Sequence, residues 1–186
     1  NNCAIGNAYP TFEEGRKYLA PGLFGPCGYG LPSIMGAKIG RHDVPVVGFA
    51  GDGAFGISMN EMSAIGREEW PAITMVIFRN YQWGAEKRNT TLWFDDNFVG
   101  TELDQQVSYA GVAKACGVEG VAVSTMDELR DALTKAVDAQ MNDGVTTFIE
   151  VMLNQELGEP FRRDAMKQPV SVAGISQADM RPQQSA

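Results

Sequence analysis

Residues 44–50 read Val44-Pro45-Val46-Val47-Gly48-Phe49-Ala50, and the chain continues Gly51-Asp52-Gly53-Ala54. The first stretch is a short apolar run of the kind a strand buried on both faces needs. The second is a glycine-bracketed turn at that strand's carboxyl end, the place where open α/β sheets bind ligands. Glycine lets backbone approach a ligand closely and leaves amide groups free to face an anion. Asp52 suits a bare phosphate loop badly, because its charge repels phosphate. A divalent cation between carboxylate and phosphates removes that conflict. The plain alternative is that Asp52 caps the following turn.

Downstream, residues 73–78 form a second apolar strand, and Asn80 lies just past its end. Alone, Asn80 reads as an ordinary turn residue. Together with Asp52, a nearby backbone carbonyl and two phosphate oxygens, it nearly fills an octahedral Mg²⁺ shell.

Between these strands, Ser58-x-x-Glu61 has the pattern of a capping box, opening a helix with Met62 and Ile65 inward that Pro71 stops. Asp104 is placed to cap a helix running to Cys116 and ended by Gly117. A strand over 118–123 follows. Thr125-x-x-Glu128 then opens the clearest helix, with Met126, Leu129, Leu133, Ala136, Val137 and Gln140 on one face. Asn142-Asp143-Gly144 ends it, and 146–153 is the last strand. Upstream, 1–32 is loop-like, and 33–39 reads as a short helix with Pro32 at its start and Gly40 just past its end. Strands alternating with helices predict an α/β three-layer sandwich with a largely parallel sheet. Apolar periodicity stops at Gly158, so 1–157 is expected to be one domain and 158–186 an arm over the surface or a partner.

The 186 residues are 44% hydrophobic and 20% charged, which fits a globular domain and argues against disorder. A net charge of -8 weighs against nucleic acid as the main partner. No apolar run approaches the length of a membrane span. Cys3, Cys27 and Cys116 are far apart without metal spacing, which predicts reduced thiols and a cytoplasmic protein. His42, the only histidine, sits in a polar Arg-His-Asp turn and reads as solvated. The chain opens on Asn1 without Met, as expected of a piece of a longer polypeptide.

Gly-Asp-Gly, followed after a helix and a strand by Asn80, resembles the diphosphate motif of thiamine diphosphate enzymes such as acetolactate synthase and pyruvate decarboxylase. Gly25-Pro26-Cys27-Gly28-Tyr29-Gly30-Leu31-Pro32 is similar to that family's pyrimidine-side loop. The resemblance implies the thiamine diphosphate-binding fold, with thiamine diphosphate and Mg²⁺ as cofactors. Asp52, Asn80 and the Gln82 carbonyl take the metal-ligand roles. Gly25 offers its carbonyl to the cofactor's amino group, and Cys27 stands where a bulky Met, Ile or Leu usually supports the cofactor's bend. Gly51, Gly53, Ala54, Trp83 and Gly84 complete the expected cofactor contacts. Two departures stand out: Arg79-Asn80 replaces the family's paired asparagines with a spacing one residue longer, and Cys27 is smaller than the usual wedge.

The string Asn80-Tyr81-Gln82-Trp83-Gly84-Ala85-Glu86-Lys87-Arg88-Asn89-Thr90-Thr91-Leu92-Trp93 resembles one branch, the sulfoacetaldehyde acetyltransferases; the resemblance runs through Asp95-Asp96-Asn97-Phe98-Val99-Gly100 and continues more loosely to the C-terminus. It implies cleavage of sulfoacetaldehyde by phosphate to acetyl phosphate and sulfite, within sulfonate and taurine metabolism. Two anions must then be held, and Arg88 and Lys87 are the candidates. An exposed charged face explains Lys87 and Arg88 almost as well. Trp83, Trp93 and Phe94 suit either a substrate channel or plain packing. The family's activating glutamate belongs to a separate N-terminal pyrimidine-binding domain, so this chain is expected to be inactive alone and to complete its site with another subunit of a homo-oligomer. Two other readings stay open: another thiamine diphosphate lyase or decarboxylase, acetolactate synthase-like or sulfopyruvate decarboxylase-like, and a non-catalytic assembly module.

Overall fold

A computed structural model of the chain describes residues 2–12, 17–22 and 24–156. The expected arm over 158–186 lies outside the described residues. Four strands, β1 (Val47–Gly51), β2 (Thr74–Arg79), β3 (Glu119–Val123) and β4 (Thr147–Met152), make one sheet in the order β1-β2-β4-β3. Every neighbouring pair is parallel. β2 and β4 are central and almost wholly buried, so most of their residues are apolar on both faces, and the polar ones, Thr74, Arg79, Thr147 and Glu150, are buried with them.

Alternation along β2 divides the core in two. Met75 and Ile77 face a cluster with Phe148 of β4 and with Leu31, Ile34, Phe55 and Met62, supplied by the helices α2 (Gly30–Gly40), α3 (Asp52–Ser58) and α4 (Met62–Ile65). Val76 faces the other way, with Ile149, Val151, Val123 and Ala136 under the long helix α7 (Met126–Asn142). These are the expected three layers. A short helix α1 (Asn2–Ala8) lies against β1, and α5 (Gly84–Trp93) and α6 (Tyr109–Ala115) follow β2.

The expected caps fare differently. Thr125 and Glu128 form both halves of their capping box, with the Thr125 oxygen accepting from the Glu128 amide and the Glu128 carboxylate accepting from the Thr125 amide at 3.1 Å. Gly144, at φ +68°, takes the left-handed turn that ends the helix. Ser58 caps nothing: the helix already begins at Asp52, and the Ser58 hydroxyl donates back to the Phe55 carbonyl. Met62 and Ile65 are nonetheless in the core. Asp104 is also displaced as a cap. It accepts from the Gln106 amide in a local turn, and Ser108 opens α6 by accepting from Gly111. α2 starts at Gly30, so Pro32 falls in the first turn, where a missing amide has no cost. Met126 is 71% exposed and leaves the apolar face of α7 to Leu129, Leu133 and Ala136.

Gln140, at the end of that face, substitutes for backbone beside Pro45. Its Oε1 accepts from the Val46 amide at 2.7 Å, and its Nε2 donates to the Val46 carbonyl at 3.0 Å and to Thr74 Oγ1 at 2.8 Å. Lys38 Nζ reaches the same Oε1 and the Val44 carbonyl. Helix α7 thus fixes where the edge strand β1 enters the sheet.

Candidate cofactor and metal site

β1 and β2 end side by side, with Gly51 paired to Phe78. Past Arg79 the backbone turns sharply. Tyr81 has φ 60°, a left-handed conformation that a bulky residue adopts only when its surroundings hold it there. That turn points the Tyr81 amide at Asp52, donating to Oδ2 at 2.7 Å. The Gly53 amide donates to Oδ1 at 3.0 Å. Asp52 is 2% exposed, and burial pushes its pKa up; contacts from Tyr81, Gly53 and Asn80 and the charge of Arg79 only partly offset that. Its carboxylate is therefore short of compensating positive charge.

The Asn80 carboxamide faces Asp52 Oδ1 and the Gln82 carbonyl oxygen, with its inner atom 3.3 Å from the first and 3.1 Å from the second. With nitrogen inward the amide donates to both. With oxygen inward, three oxygens converge at separations close to the ~3 Å between adjacent ligands of an octahedral Mg²⁺. The three groups named in the resemblance thus offer a donor set that fits a small, hard divalent cation. The Gln82 side chain turns away: its Nε2 donates to the Gln155 carbonyl at 2.8 Å, and its Oε1 is buried without a hydrogen-bond partner. This leaves the Gln82 main-chain oxygen for the Asn80 side.

Every residue expected to touch the cofactor, from Gly25 and Cys27 through Gly51, Asp52, Gly53 and Ala54 to Asn80, Gln82, Trp83 and Gly84, lines one cleft of about 920 Å³. Gly53 serves packing more than ligand access. A Cβ there would lie 2.8 Å from the Trp83 ring, and its amide is taken by Asp52. Cys27 is exposed at the cleft wall, where burial first and then the Glu86 carboxylate raise its thiol pKa. That suits a neutral wall residue and not a nucleophile.

Neither Lys87 nor Arg88 lines the cleft. The Lys87 ammonium pairs with Glu102 and lies 5.2 Å from the centroid of the Phe98 ring. Arg88 is half-buried on α5. His42 is exposed in its turn, as expected, and Phe94 is 40% exposed.

Sequence reasoning missed Arg79 and Glu150. They form an ion pair with side chains only 3% and 1% exposed. Glu150 also accepts from the Ala110 amide at 3.0 Å and from Ser108 Oγ at 3.2 Å. Burial alone would raise its pKa; the Ala110 amide and the Arg79 guanidinium outweigh burial and leave it lowered. The partners are 71 positions apart, so no local pattern could have paired them.

Residues 1–151 match the family described as "Thiamine pyrophosphate enzyme, C-terminal TPP binding domain". The chain is 77% identical over 184 residues to the sulfoacetaldehyde acetyltransferase of Roseovarius nubinhibens, covering 99% of this chain and 30% of that protein. It is 74% identical to the sulfoacetaldehyde acetyltransferase of Rhodobacter capsulatus, covering 98% of this chain and 31% of that protein. Acetolactate synthase 2 of Nicotiana tabacum is 31% identical over 137 residues, covering 70% of this chain and 20% of that protein. Among solved structures, the thiamine diphosphate-dependent 4-hydroxybenzoylformate decarboxylase of Rhodococcus jostii RHA1 superposes with a TM-score of 0.65 at 25% identity, covering 73% of this chain and 24% of that one. The chain thus spans about 30% of the length of these curated relatives. The strand-end Gly-Asp-Gly, the parallel sheet that presents it and these likenesses agree, and the chain belongs to the thiamine pyrophosphate enzyme family as its C-terminal TPP binding domain.

Proposed function

We propose that this domain holds the diphosphate and Mg²⁺ of thiamine diphosphate in an enzyme that converts sulfoacetaldehyde and phosphate to acetyl phosphate and sulfite. The observation that carries the cofactor role is the convergence of Asp52, Asn80 and the Gln82 carbonyl at the cleft. The name of the 77% identical relative supports sulfoacetaldehyde as the substrate.

In this reading Asp52 and Asn80 bind the cation through side chains and Gln82 through its main chain. Asp52 has few compensating charges, so the cation supplies what its amide partners do not. Gly25 and Cys27 face the pyrimidine side, while Trp83, fixed on Gly53, walls the diphosphate side. Thiamine diphosphate, when bound, supplies the carbon nucleophile and electron sink for carbon–sulfur cleavage. Arg88, on α5 outside the cleft as this chain forms it, is the candidate for holding sulfonate or phosphate where another subunit completes the site. Lys87, tied to Glu102, contributes by fixing the segment that pairs with Gln82.

The pyrimidine side of the site comes from an N-terminal domain of another subunit, in a cytoplasmic homo-oligomer. Residues 1–157 form the domain and 158–186 an arm, and the metabolic setting is the breakdown of sulfonates such as taurine.

Sulfite release from sulfoacetaldehyde, with phosphate, thiamine diphosphate and Mg²⁺, tests the reading in the full-length protein and in this chain alone. Release by the full-length protein only, lost in Asp52→Ala, is expected. Cofactor binding without sulfite release would turn the reading to an acetolactate synthase-like or decarboxylase reaction, which the 31% identical relative makes the next choice. Arg88→Ala is expected to raise KM for sulfoacetaldehyde or phosphate about tenfold, the loss of one charge-assisted contact. Unchanged constants for both would remove Arg88 from the site.

A further inference from the structure

Among the described residues, Arg79–Glu150 is the one ion pair with both side chains buried. Arg79 is the last residue of β2, directly before Asn80. Its guanidinium carbon lies 4.6 Å from the centroid of the Tyr81 ring and 5.1 Å from that of Tyr109. Both tyrosines touch Asp52. The Tyr81 amide donates to its carboxylate at 2.7 Å, and the Tyr109 hydroxyl donates to its main-chain carbonyl at 3.3 Å. One guanidinium therefore lies against two of the residues that orient Asp52. It is braced in turn by the carbonyls of Asp104 and Gln105 at 3.4 and 3.2 Å.

Glu150 makes this arrangement compatible with a metal. An unpaired guanidinium beside Tyr81 would oppose a divalent cation through like charge. Paired with Glu150, it keeps its flat face against the rings while much of that opposition is offset. Tyr81, whose ring this guanidinium covers, is the residue at φ 60°.

We propose that Arg79 is a positioning residue for the divalent cation: neutralised by Glu150 and stacked between Tyr81 and Tyr109, it sets the orientation of Asp52 and thereby the affinity of the site for the metal. This rests on Asp52, Asn80 and the Gln82 carbonyl being the cation's ligands.

The test is Mn²⁺ binding to the full-length protein with saturating thiamine diphosphate, followed by the electron paramagnetic resonance of free Mn²⁺. Three variants are compared with wild type, each with its thermal midpoint: Arg79→Met/Glu150→Gln, Tyr109→Phe and Asp52→Ala. The double variant removes both charges together and leaves Ala110 an acceptor, so its fold is expected to survive. Its Mn²⁺ affinity is expected to fall about tenfold or more, as when partners of a metal ligand are lost. Tyr109→Phe keeps the ring and loses only the hydroxyl, and a smaller fall is expected. A merely structural role would lower the midpoint and leave the affinity of the folded protein alone. Wild-type affinity in the double variant, beside a loss in Asp52→Ala, overturns the proposal. Should the double variant not fold, unchanged affinity in Tyr109→Phe overturns it. Undiminished binding by Asp52→Ala would instead overturn the ligand assignment, and the proposal with it.

Discussion

Asp52 and Glu150 are both carboxylates buried to within 2% of complete, yet they are placed by opposite logic. Glu150, in the middle of β4, has a guanidinium, a helix amide and a hydroxyl around it, and its pKa is lowered. Asp52, at the end of β1, has backbone amides on its oxygens, and its pKa is raised. One environment completes a charge within the fold. The other leaves a charge for something else to complete. Buried carboxylates at a strand end and in a strand interior are thus told apart by which effect wins, desolvation or pairing.

The sharpest way to break this contrast is to remove each acid. Glu150→Ala leaves Arg79 buried and unpaired, and a loss of about 3–5 kcal/mol is expected, seen as a large fall in the thermal midpoint of the full-length protein. Asp52→Asn removes a charge that the fold compensates only in part, but it also turns an NH2 toward one of the two amides that Asp52 accepts from, so the midpoint without ligands is expected to fall far less than in Glu150→Ala. The stabilisation that Mg²⁺ and thiamine diphosphate give the wild type, about 2.7 kcal/mol at a hundredfold excess over Kd, is expected to vanish in Asp52→Asn. Equal ligand-free losses in the two variants would erase the distinction.

Smaller changes sharpen it on the side of the scaffold. Gln140→Leu strips partners from both main-chain groups of Val46 and from Thr74, and about 2 kcal/mol is expected to be lost without any change in metal affinity. Thr125→Ala removes half of a capping box, worth about 1 kcal/mol by the same measurement. The smallest effect is that of Glu128, whose pKa is lowered by the Ser124 and Thr125 amides. A depressed folded pKa gives stability above the unfolded value, near 4.5, that is lost as pH falls through the folded value. The midpoints of wild type and Glu128→Gln should therefore converge as pH drops from 7 toward 3. A constant gap would show that the carboxylate charge contributes nothing to the cap.

The same division governs what can be read from the amino-acid order. Thr125 and Glu128 were legible because their partners are each other. So were the apolar strands and the placing of Asp52 and Asn80 at adjacent strand ends. Ser58-x-x-Glu61 has the same letters as Thr125-x-x-Glu128, but a helix begun at Asp52 had already run through Ser58. Asp104 gave way to Ser108, whose hydroxyl also reaches Glu150 from 42 positions away. Arg79 was visible only as a departure from the paired asparagines. Its meaning depends on Glu150 and on two aromatic rings, contacts that folding creates and no local spacing announces.

The indole of Trp83 lies directly on Gly53, beside the carboxylate and carbonyl oxygens of the strand ends. The fold has thereby placed a chromophore in the cleft that Asp52 and Asn80 line. Trp70, before β2 and packed against the larger core cluster, sits at the opposite end of the sheet. Emission from Trp83 should respond to charge arriving at the strand ends, while that from Trp70 reports the integrity of the core. With the third indole of this chain removed by Trp93→Phe, the domain would carry both an optical gauge of the cleft and its own reference, with no label to attach.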